Sequence, residues 1–404
     1  VGRTLNIFKK TERDDTMYRI GKEEIDAVAR ALNSRDFFKI NNSGREVYHF
    51  EEEWKAITGS KYMLTMTSGY GALTSALIGM GVGPGDEVIV PGYTYIASAL
   101  AVLATGAIPV IADINETMTL DPADVERRLS SHTKAIMPVH IQGFPSDMDA
   151  LCALAAKHNL RVLEDACQSD GGMYHGRYLG TIGDAGAHSF NYYKVITSGE
   201  GGALVTDDRE IYERALIYHD AAAVAFFGDQ LNGIKEPLFG GGEFRVSDIT
   251  GALLREQLKR MPSILADLRS RRAYLSELIS GKLELSPSND IAGDCGTTLS
   301  LRFDSSERAF AFEEKCGENG ISATVPIQTG KHVYTNWTQV TEKRGALNPL
   351  MDPFKMEANR GLQANYSPDV CARTLRILES TVYVSISPDW TDAEVESIAA
   401  RLIQ

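Results

Sequence analysis

The chain has 404 residues, 43% hydrophobic and 24% charged, the balance of a soluble globular enzyme and too much for one small core, so two domains are expected. A net charge of −13 argues against nucleic acid or an anionic membrane as the main partner, though not against a phosphorylated ligand, which needs only a few local donors. Five scattered cysteines without a CxxC or Cys/His cluster suggest neither a disulfide framework nor a zinc site, and no run approaches the ~18 apolar residues of a membrane span.

Residues 1–20 read as a loosely ordered arm, and the polar stretch from Val1 to Asp15 lacks the apolar region of a secretory signal, so the cytoplasm is the expected compartment. Gly21 to Asn33 reads as a helix with Ile25, Val28, Ala29 and Leu32 on one face. From Lys61 to about residue 208 short apolar runs alternate with helical stretches. Tyr62–Met66, Glu87–Pro91, Ile108–Ile111, Ala135–His140 and Arg161–Glu164 are the strands; Gly71–Gly79, Thr94–Ala104, a helix opened by Asp121-Pro122, and Asp147–His158 are the helices. This alternation predicts an α/β protein whose mostly parallel central sheet is covered on both faces. Glu256–Arg272 reads as a long charged helix leading out of that unit. Beyond it, Thr298–Phe303, Ala309–Glu318 and Thr391–Leu402 suit a smaller α+β domain. The expected division is an arm over 1–20, a large domain over 21–260 and a small C-terminal domain over 261–404.

In open parallel sheets, ligands bind beyond the carboxyl ends of the strands, and the residues of interest gather there. Lys194 stands in an aromatic and β-branched row, His188-Ser189-Phe190-Asn191-Tyr192-Tyr193-Lys194-Val195-Ile196, followed by Gly199-Glu200-Gly201-Gly202. In an apolar pocket the neutral amine of a lysine becomes available and can form a Schiff base with a carbonyl; the bland reading is a snorkelling surface lysine. Upstream, the apolar run Val162-Leu163-Glu164 ends in Asp165, either an N-cap for the next turn or a buried carboxylate in need of a cationic partner. A pyridinium N–H is such a partner, and a Schiff-base lysine with a strand-end carboxylate is what pyridoxal phosphate (PLP) asks of a protein. Thr67-Ser68-Gly69-Tyr70-Gly71 opens a helix after the first strand, where free amides favour a phosphate, although such turns often hold glycine for steric reasons alone. Tyr93 or Tyr95 could stack on a pyridine ring or simply pack beneath the sheet, and Ser189 could offer a donor to a phosphate.

With these residues together, the chain resembles the DegT/DnrJ/StrS family of PLP-dependent sugar aminotransferases, of the type I transferase fold, from about Phe50 to the C-terminus. The resemblance is carried by Gly81-Val82-Gly83-Pro84-Gly85-Asp86-Glu87-Val88-Ile89-Val90-Pro91, Thr133-Lys134-Ala135-Ile136-Met137-Pro138-Val139-His140, Glu164-Asp165-Ala166, and the spacing from Ser189 to Lys194 with Gly-Glu-Gly-Gly after it. It implies that Lys194 is the Schiff-base lysine, that Asp165 holds the pyridine nitrogen, and that Gln168 lies near the cofactor's 3-oxygen. Tyr95 falls where the family stacks an aromatic on the ring, and Tyr70, Gly71 and Ser189 fall where it binds the phosphate. The family is typically homodimeric, and Gly242-Glu243-Phe244-Arg245 matches a loop that reaches the neighbouring subunit's cofactor, which makes Glu243 and Arg245 candidates for that contact.

Three departures stand out. The phosphate turn reads Ser68-Gly69-Tyr70-Gly71 rather than Ser-Gly-Thr-Ala, Glu243 replaces a common Asn, and Ser385 to Thr391 lacks the Leu-Pro of many sugar aminotransferases. Lys194 sets the chain apart from a branch that carries His there and dehydrates its sugar. The implied activity is amino transfer from L-glutamate or L-glutamine to a keto-sugar, commonly nucleotide-linked, in amino-sugar biosynthesis. The alternatives are a keto-cyclitol or other small polyhydroxy ketone as acceptor, another type I PLP enzyme such as a lyase or aldolase, or a non-catalytic protein using the fold.

Overall fold

The computed structural model describes residues 19–39, 45–220 and 233–404. Seven strands form the main sheet: β1 (Tyr62–Met66), β2 (Glu87–Pro91), β3 (Ile108–Ala112), β4 (Thr133–Ile136), β5 (Arg161–Asp165), β6 (Ala185–Ser189) and β7 (Gly202–Thr206). Their order is β1-β7-β6-β5-β4-β2-β3. Every pairing is parallel except those of β7, which runs antiparallel between β1 and β6. Strands such as Glu87–Pro91 are buried on both faces, and for that reason read as unbroken apolar runs. The fourth strand stops short of the expected His140, because Pro138 has no N–H to continue the ladder; only a bridge from Val139 to Asp165 follows.

Helices cover both faces. One is packed by α3 (Gly69–Gly79), α4 (Ala97–Ala104) and α7 (Arg209–His219), around Leu64, Leu73, Leu77, Val88 and Leu204. The other carries α2 (Glu46–Thr58) near β1 and β7, and α5 (Pro122–Arg128) with α6 (Met148–His158) nearer β3 and β4. Asp121 caps α5 and Asp147 caps α6, each accepting from a backbone amide two or three residues on. Among the described residues no helix is long and apolar enough to cross a membrane.

The first helix, α1 (Lys22–Ser34), forms with a different face inward from the one its sequence suggests. Ala27 and Ala31 are buried against Ala252, while Ile25 and Leu32 are exposed. Small side chains let the two helix backbones approach closely, and Glu24 turns inward to Gln257 at 3.0 Å and to Arg260. The arm expected over 1–20 lies outside the described residues except for Arg19 and Ile20; Arg19 pairs with Asp267 and Asp389.

The long helix α8 (Asp248–Leu278) is longer than its charged stretch implies and begins where Asp248 accepts the amide of Val47. The expected boundary at residue 260 falls inside it. Beyond it stand a four-stranded antiparallel sheet, β8 (Glu284–Leu285), β9 (Thr298–Arg302), β10 (Ala323–Thr324) and β11 (Thr381–Ser385), and the helices α9 (Ser306–Glu318), α10 (Ala372–Glu379) and α11 (Asp392–Leu402). The segment between β10 and α10 returns to the large sheet. Tyr334 and Trp337 enter its core, and the Tyr366 hydroxyl donates to the carbonyl of Pro109 at 2.8 Å.

Gly202 sets how closely β7 meets the turn after β1. A Cβ there would lie 2.3 Å from the carbonyl carbon of Ser68 and 2.5 Å from the amide of Gly69, backbone atoms with nowhere to go. Gly202→Ala should therefore lower stability by about 1–3 kcal/mol, as overpacked cores do, read as a fall in the urea midpoint; an unchanged midpoint would show that the turn is free to move.

Candidate active site

The carboxyl edge of the sheet gathers the candidate residues from four chain segments. After β1, Ser68 caps α3, its hydroxyl accepting the amide of Gly71 at 3.0 Å. The amides of Gly69 and Tyr70, the first two helical residues, have no acceptor within the helix. Gly69 is obligatory by packing: a Cβ would stand 2.6 Å from the Cys167 sulfur and 2.9 Å from Cβ of Ser189. The turn thus abuts Ser189, the buried last residue of β6. Of the three expected phosphate contacts, the two in this turn differ: Gly71 has its amide tied to the cap, while the Tyr70 side chain is exposed.

Lys194 sits in the loop joining β6 to β7. The loop is pinned by backbone bonds from Phe190 to Gly201 (2.9 Å) and Tyr192 to Gly199 (3.0 Å), with Gly199 in the left-handed region at φ 82°. Phe190, Val195 and Ile196 anchor it in the core beside Phe50 and Trp54. The flanking aromatics do not wall the lysine as the sequence suggests, since Tyr192 and Tyr193 face outward. Lys194 is half-buried, and among the described residues its ammonium makes no hydrogen bond or ion pair, yet it lies within electrostatic reach of Cys167, Asp170 and His332.

Asp165 ends β5 and is only 5% exposed. Its Oδ2 accepts the Ser98 hydroxyl at 2.7 Å and its Oδ1 the amide of Cys167 at 3.2 Å. Among the described residues no cation pairs with this carboxylate, an expensive arrangement for a buried charge. Gln168 is oriented by its Oε1, which accepts the Gln142 amide at 3.0 Å. Tyr93 is fully buried beneath the sheet, its hydroxyl pushed up to about 12 by that burial, whereas Tyr95 is half-exposed at the mouth.

Two residues that sequence reasoning passes over complete the edge. His332 arrives on the returning segment. Thr94 and Ile96 donate their amides to the carbonyls of His332 and Lys331, so the chain after β2 pairs with this segment, and α4 starts at Ala97 rather than at Thr94. The His332 ring stands 5.4 Å from that of Tyr95, and its Nδ1 faces the Thr329 carbonyl at 3.2 Å. With Nδ1–H donating there, Nε2 is the lone-pair nitrogen, 3.5 Å from the Gln168 amide nitrogen. Burial pushes the His332 pKa down and the charge of Lys194 adds to this, which favours the neutral ring. Ser98, the Asp165 partner, lies in the first turn of α4. No motif marks either residue.

Among the described residues, Glu243 and Arg245 make no hydrogen bond or ion pair with Asp165, Gln168 or Lys194. Arg245 pairs with Asp220 and Glu243 of its own chain and covers the Phe38 ring, and the Phe244 carbonyl accepts the amide of Thr67, docking the loop on the turn after β1.

Comparison with known proteins bears on this edge. A profile of the DegT/DnrJ/EryC1/StrS aminotransferase family matches residues 18–346. The spore coat polysaccharide biosynthesis protein SpsC of Bacillus subtilis (strain 168) is 40% identical over 265 residues, 64% of this chain and 65% of that protein, so the match spans less than two thirds of that relative. The dTDP-3-amino-3,6-dideoxy-alpha-D-galactopyranose transaminase of Aneurinibacillus thermoaerophilus is 34% identical over 332 residues, 80% of this chain and 86% of that one. Among solved structures, an aminotransferase from Psychrobacter cryohalolentis superimposes with a TM-score of 0.78 at 28% identity, covering 95% of this chain and 96% of its own.

Proposed function

This chain belongs to the DegT/DnrJ/EryC1/StrS aminotransferase family, and from that premise we propose that it is a PLP-dependent aminotransferase moving an amino group from L-glutamate or L-glutamine to a keto-sugar, nucleotide-linked as in the name of the Aneurinibacillus relative. The observation that carries the reading is Asp165: a buried carboxylate with two neutral donors and no cation among the described residues, on the same sheet edge as the half-buried Lys194.

The residues present fit PLP. The Asp165 carboxylate lacks the cationic partner that a pyridinium N–H supplies, and the amides of Gly69 and Tyr70 head a helix whose dipole favours a phosphate. Ser189 stands against that turn, Tyr95 and His332 offer ring faces, and Gln168 is held in place by Gln142. When bound, PLP supplies the electron sink that makes a Cα–H bond acidic. Lys194 Nζ is the base that takes the proton from the donor's Cα and the acid that returns it. Ser98 and the Cys167 amide keep the Asp165 carboxylate aimed, each giving it a hydrogen bond. The lone pair of His332 Nε2 accepts from a substrate hydroxyl or ammonium, and because donor and acceptor use one pocket in turn, the kinetics are ping-pong.

The open side of the site is rimmed by exposed aromatics, Tyr70, Tyr95, Tyr192 and Tyr193, which a second copy of the chain would cover. A homodimer with the site at its interface is therefore part of the proposal. The visible absorption spectrum before and after L-glutamate tests the whole. The expected result is a yellow protein whose band bleaches on addition of the amino acid. A band indifferent to glutamate and glutamine would move the assignment to a lyase or aldolase, and no band in the presence of added PLP would overturn it.

A further inference from the structure

Gln142 stands in the left-handed region, at φ 53° and ψ 22°, in the short turn that follows β4, and Gly143 comes next at φ 80°. Arg35 and Asn159 share that conformation, but they close α1 and α6, an ordinary place for it. Gln142 lies instead at the carboxyl edge of the sheet. A glycine takes such a backbone at no cost, whereas a residue with a side chain has to be held there by its surroundings, and residues held in this way gather at functional sites.

Three hydrogen bonds hold this one. The Gln142 carbonyl accepts the Thr297 hydroxyl at 2.7 Å, its side-chain Oε1 accepts the Thr298 hydroxyl at 3.0 Å, and its amide donates to Gln168 Oε1 at 3.0 Å. Thr298 is the buried first residue of β9, paired with Ser385 of β11, and the Thr297 carbonyl accepts the amide of Ile386 at 3.0 Å. The Cys295 amide donates to the Gly143 carbonyl at 3.2 Å, and a Cβ on Gly143 would stand 2.6 Å from that of Cys295. The four-stranded sheet thus grips a turn at the edge of the seven-stranded one.

Two backbone groups dictate which way the bonds run from this turn into the site. A backbone N–H can only donate, so the Gln142 amide must meet the oxygen of Gln168, and the NH2 group lies on the other side. At the far end the Thr329 carbonyl can only accept, so His332 Nδ1 carries the hydrogen and Nε2 the lone pair, 3.5 Å from Gln168 Nε2. One N–H of Gln168 faces that lone pair across a gap long enough to leave it open to a substrate. The second N–H has no partner among the described residues.

We propose that Gln142 is a positioning residue: held left-handed by Thr297 and Thr298, its amide turns the Gln168 side chain so that the NH2 group, and not the oxygen, is presented to His332 and to a bound ligand. Released from that conformation, Gln142 would turn its N–H away, and Gln168 would be free to turn over and set an acceptor against the histidine lone pair. On the reading of the chain as a PLP enzyme, the free N–H is the donor to the cofactor's 3-oxygen; the orientation of Gln168 itself does not depend on that reading. A donor there withdraws charge from the oxygen and weakens its hold on the proton whose loss the visible band reports.

Replacing Thr297→Val together with Thr298→Val removes both hydroxyls at nearly constant shape. In PLP-loaded protein Gln168→Ala, which loses the donor outright, should raise the pH midpoint of the visible band by about one unit. The double valine variant should show part of that rise. In cofactor-free protein the readout is the His332 midpoint, from NMR of carbon-13-labelled histidine assigned with His332→Gln. Burial lowers the His332 pKa, the Thr329 carbonyl opposes this and the charge of Lys194 adds to it; the other ring neighbours are Tyr93 and Tyr95. Losing an N–H that faces the lone pair should move this midpoint up in both variants. If the wild type takes up no PLP, the functional reading fails, while the histidine titration still decides this one. A His332 midpoint unmoved by Gln168→Ala overturns the proposal, because Gln168 is then not aimed at the ring. Midpoints moved by Gln168→Ala but not by the double valine variant overturn it too, and leave Gln142 a packing role. Should the double variant not fold, Thr298→Val or Gln142→Ala serves, with a raised His332 midpoint expected and an unmoved one overturning the proposal.

Discussion

Alanine at position 194 should abolish turnover, by about 10⁴-fold or more, while leaving the fold intact. The size follows from the proposed role. A group that both takes and returns the substrate proton commands the upper end of the general acid–base range, and no other amine lies among the residues assembled at the sheet edge. Retention of the fold follows from the structure. The ammonium makes no hydrogen bond among the described residues, and the loop is held by Phe190, Val195, Ile196 and the backbone bonds to Gly199 and Gly201. Truncating such a side chain shifts stability by about 0.5 kcal/mol or less. The check is paired: kcat/KM for amino transfer and the thermal midpoint of the cofactor-free protein. A variant with wild-type activity would remove Lys194 from the mechanism. One that had lost activity together with several degrees of Tm would show that the lysine holds the loop.

Much of this edge was legible in the sequence because each piece is local. Buried parallel strands read as apolar runs, so Tyr62–Met66 and Glu87–Pro91 come out with their exact bounds, and the residue after such a run is where a site is expected. What escaped is what tertiary packing supplies. His332 reaches the site only because the chain after β10 returns to pair with Thr94 and Ile96, and its sequence neighbourhood carries no period or motif. Ser98 looks like any small residue of an apolar helix until its hydroxyl is seen against Asp165. Asp170, in the turn Gln168-Ser169-Asp170-Gly171, has the look of a solvated loop residue, yet it is buried. The same limit explains α1: hydrophobic spacing favours Ile25 and Leu32 as the inward face, but close approach to α8 selects Ala27 and Ala31, and the larger side chains stay outside.

Asp165→Asn should separate chemistry from stability in a way that few substitutions at this edge can. The carboxylate is buried, and its partners are a hydroxyl and an amide, neither of which neutralises it. In cofactor-free protein the charge is a liability, so the isosteric amide, which still accepts from the Cys167 N–H or Ser98, should leave the thermal midpoint unchanged or raise it. Once PLP is bound the balance reverses. In its proposed role the carboxylate would then be the partner of the ring nitrogen, and a neutral amide cannot hold a proton there. Loss of one such preorganised electrostatic partner costs about 10²–10³ in rate, so amino transfer should fall by that factor although the protein still takes up the cofactor. The stabilisation gained on adding PLP should also be smaller than in the wild type, because the variant recovers no buried charge on binding. Equal rates in the two proteins would take Asp165 out of its proposed role. A variant less stable than the wild type without cofactor would show that the carboxylate serves the fold first, through Ser98.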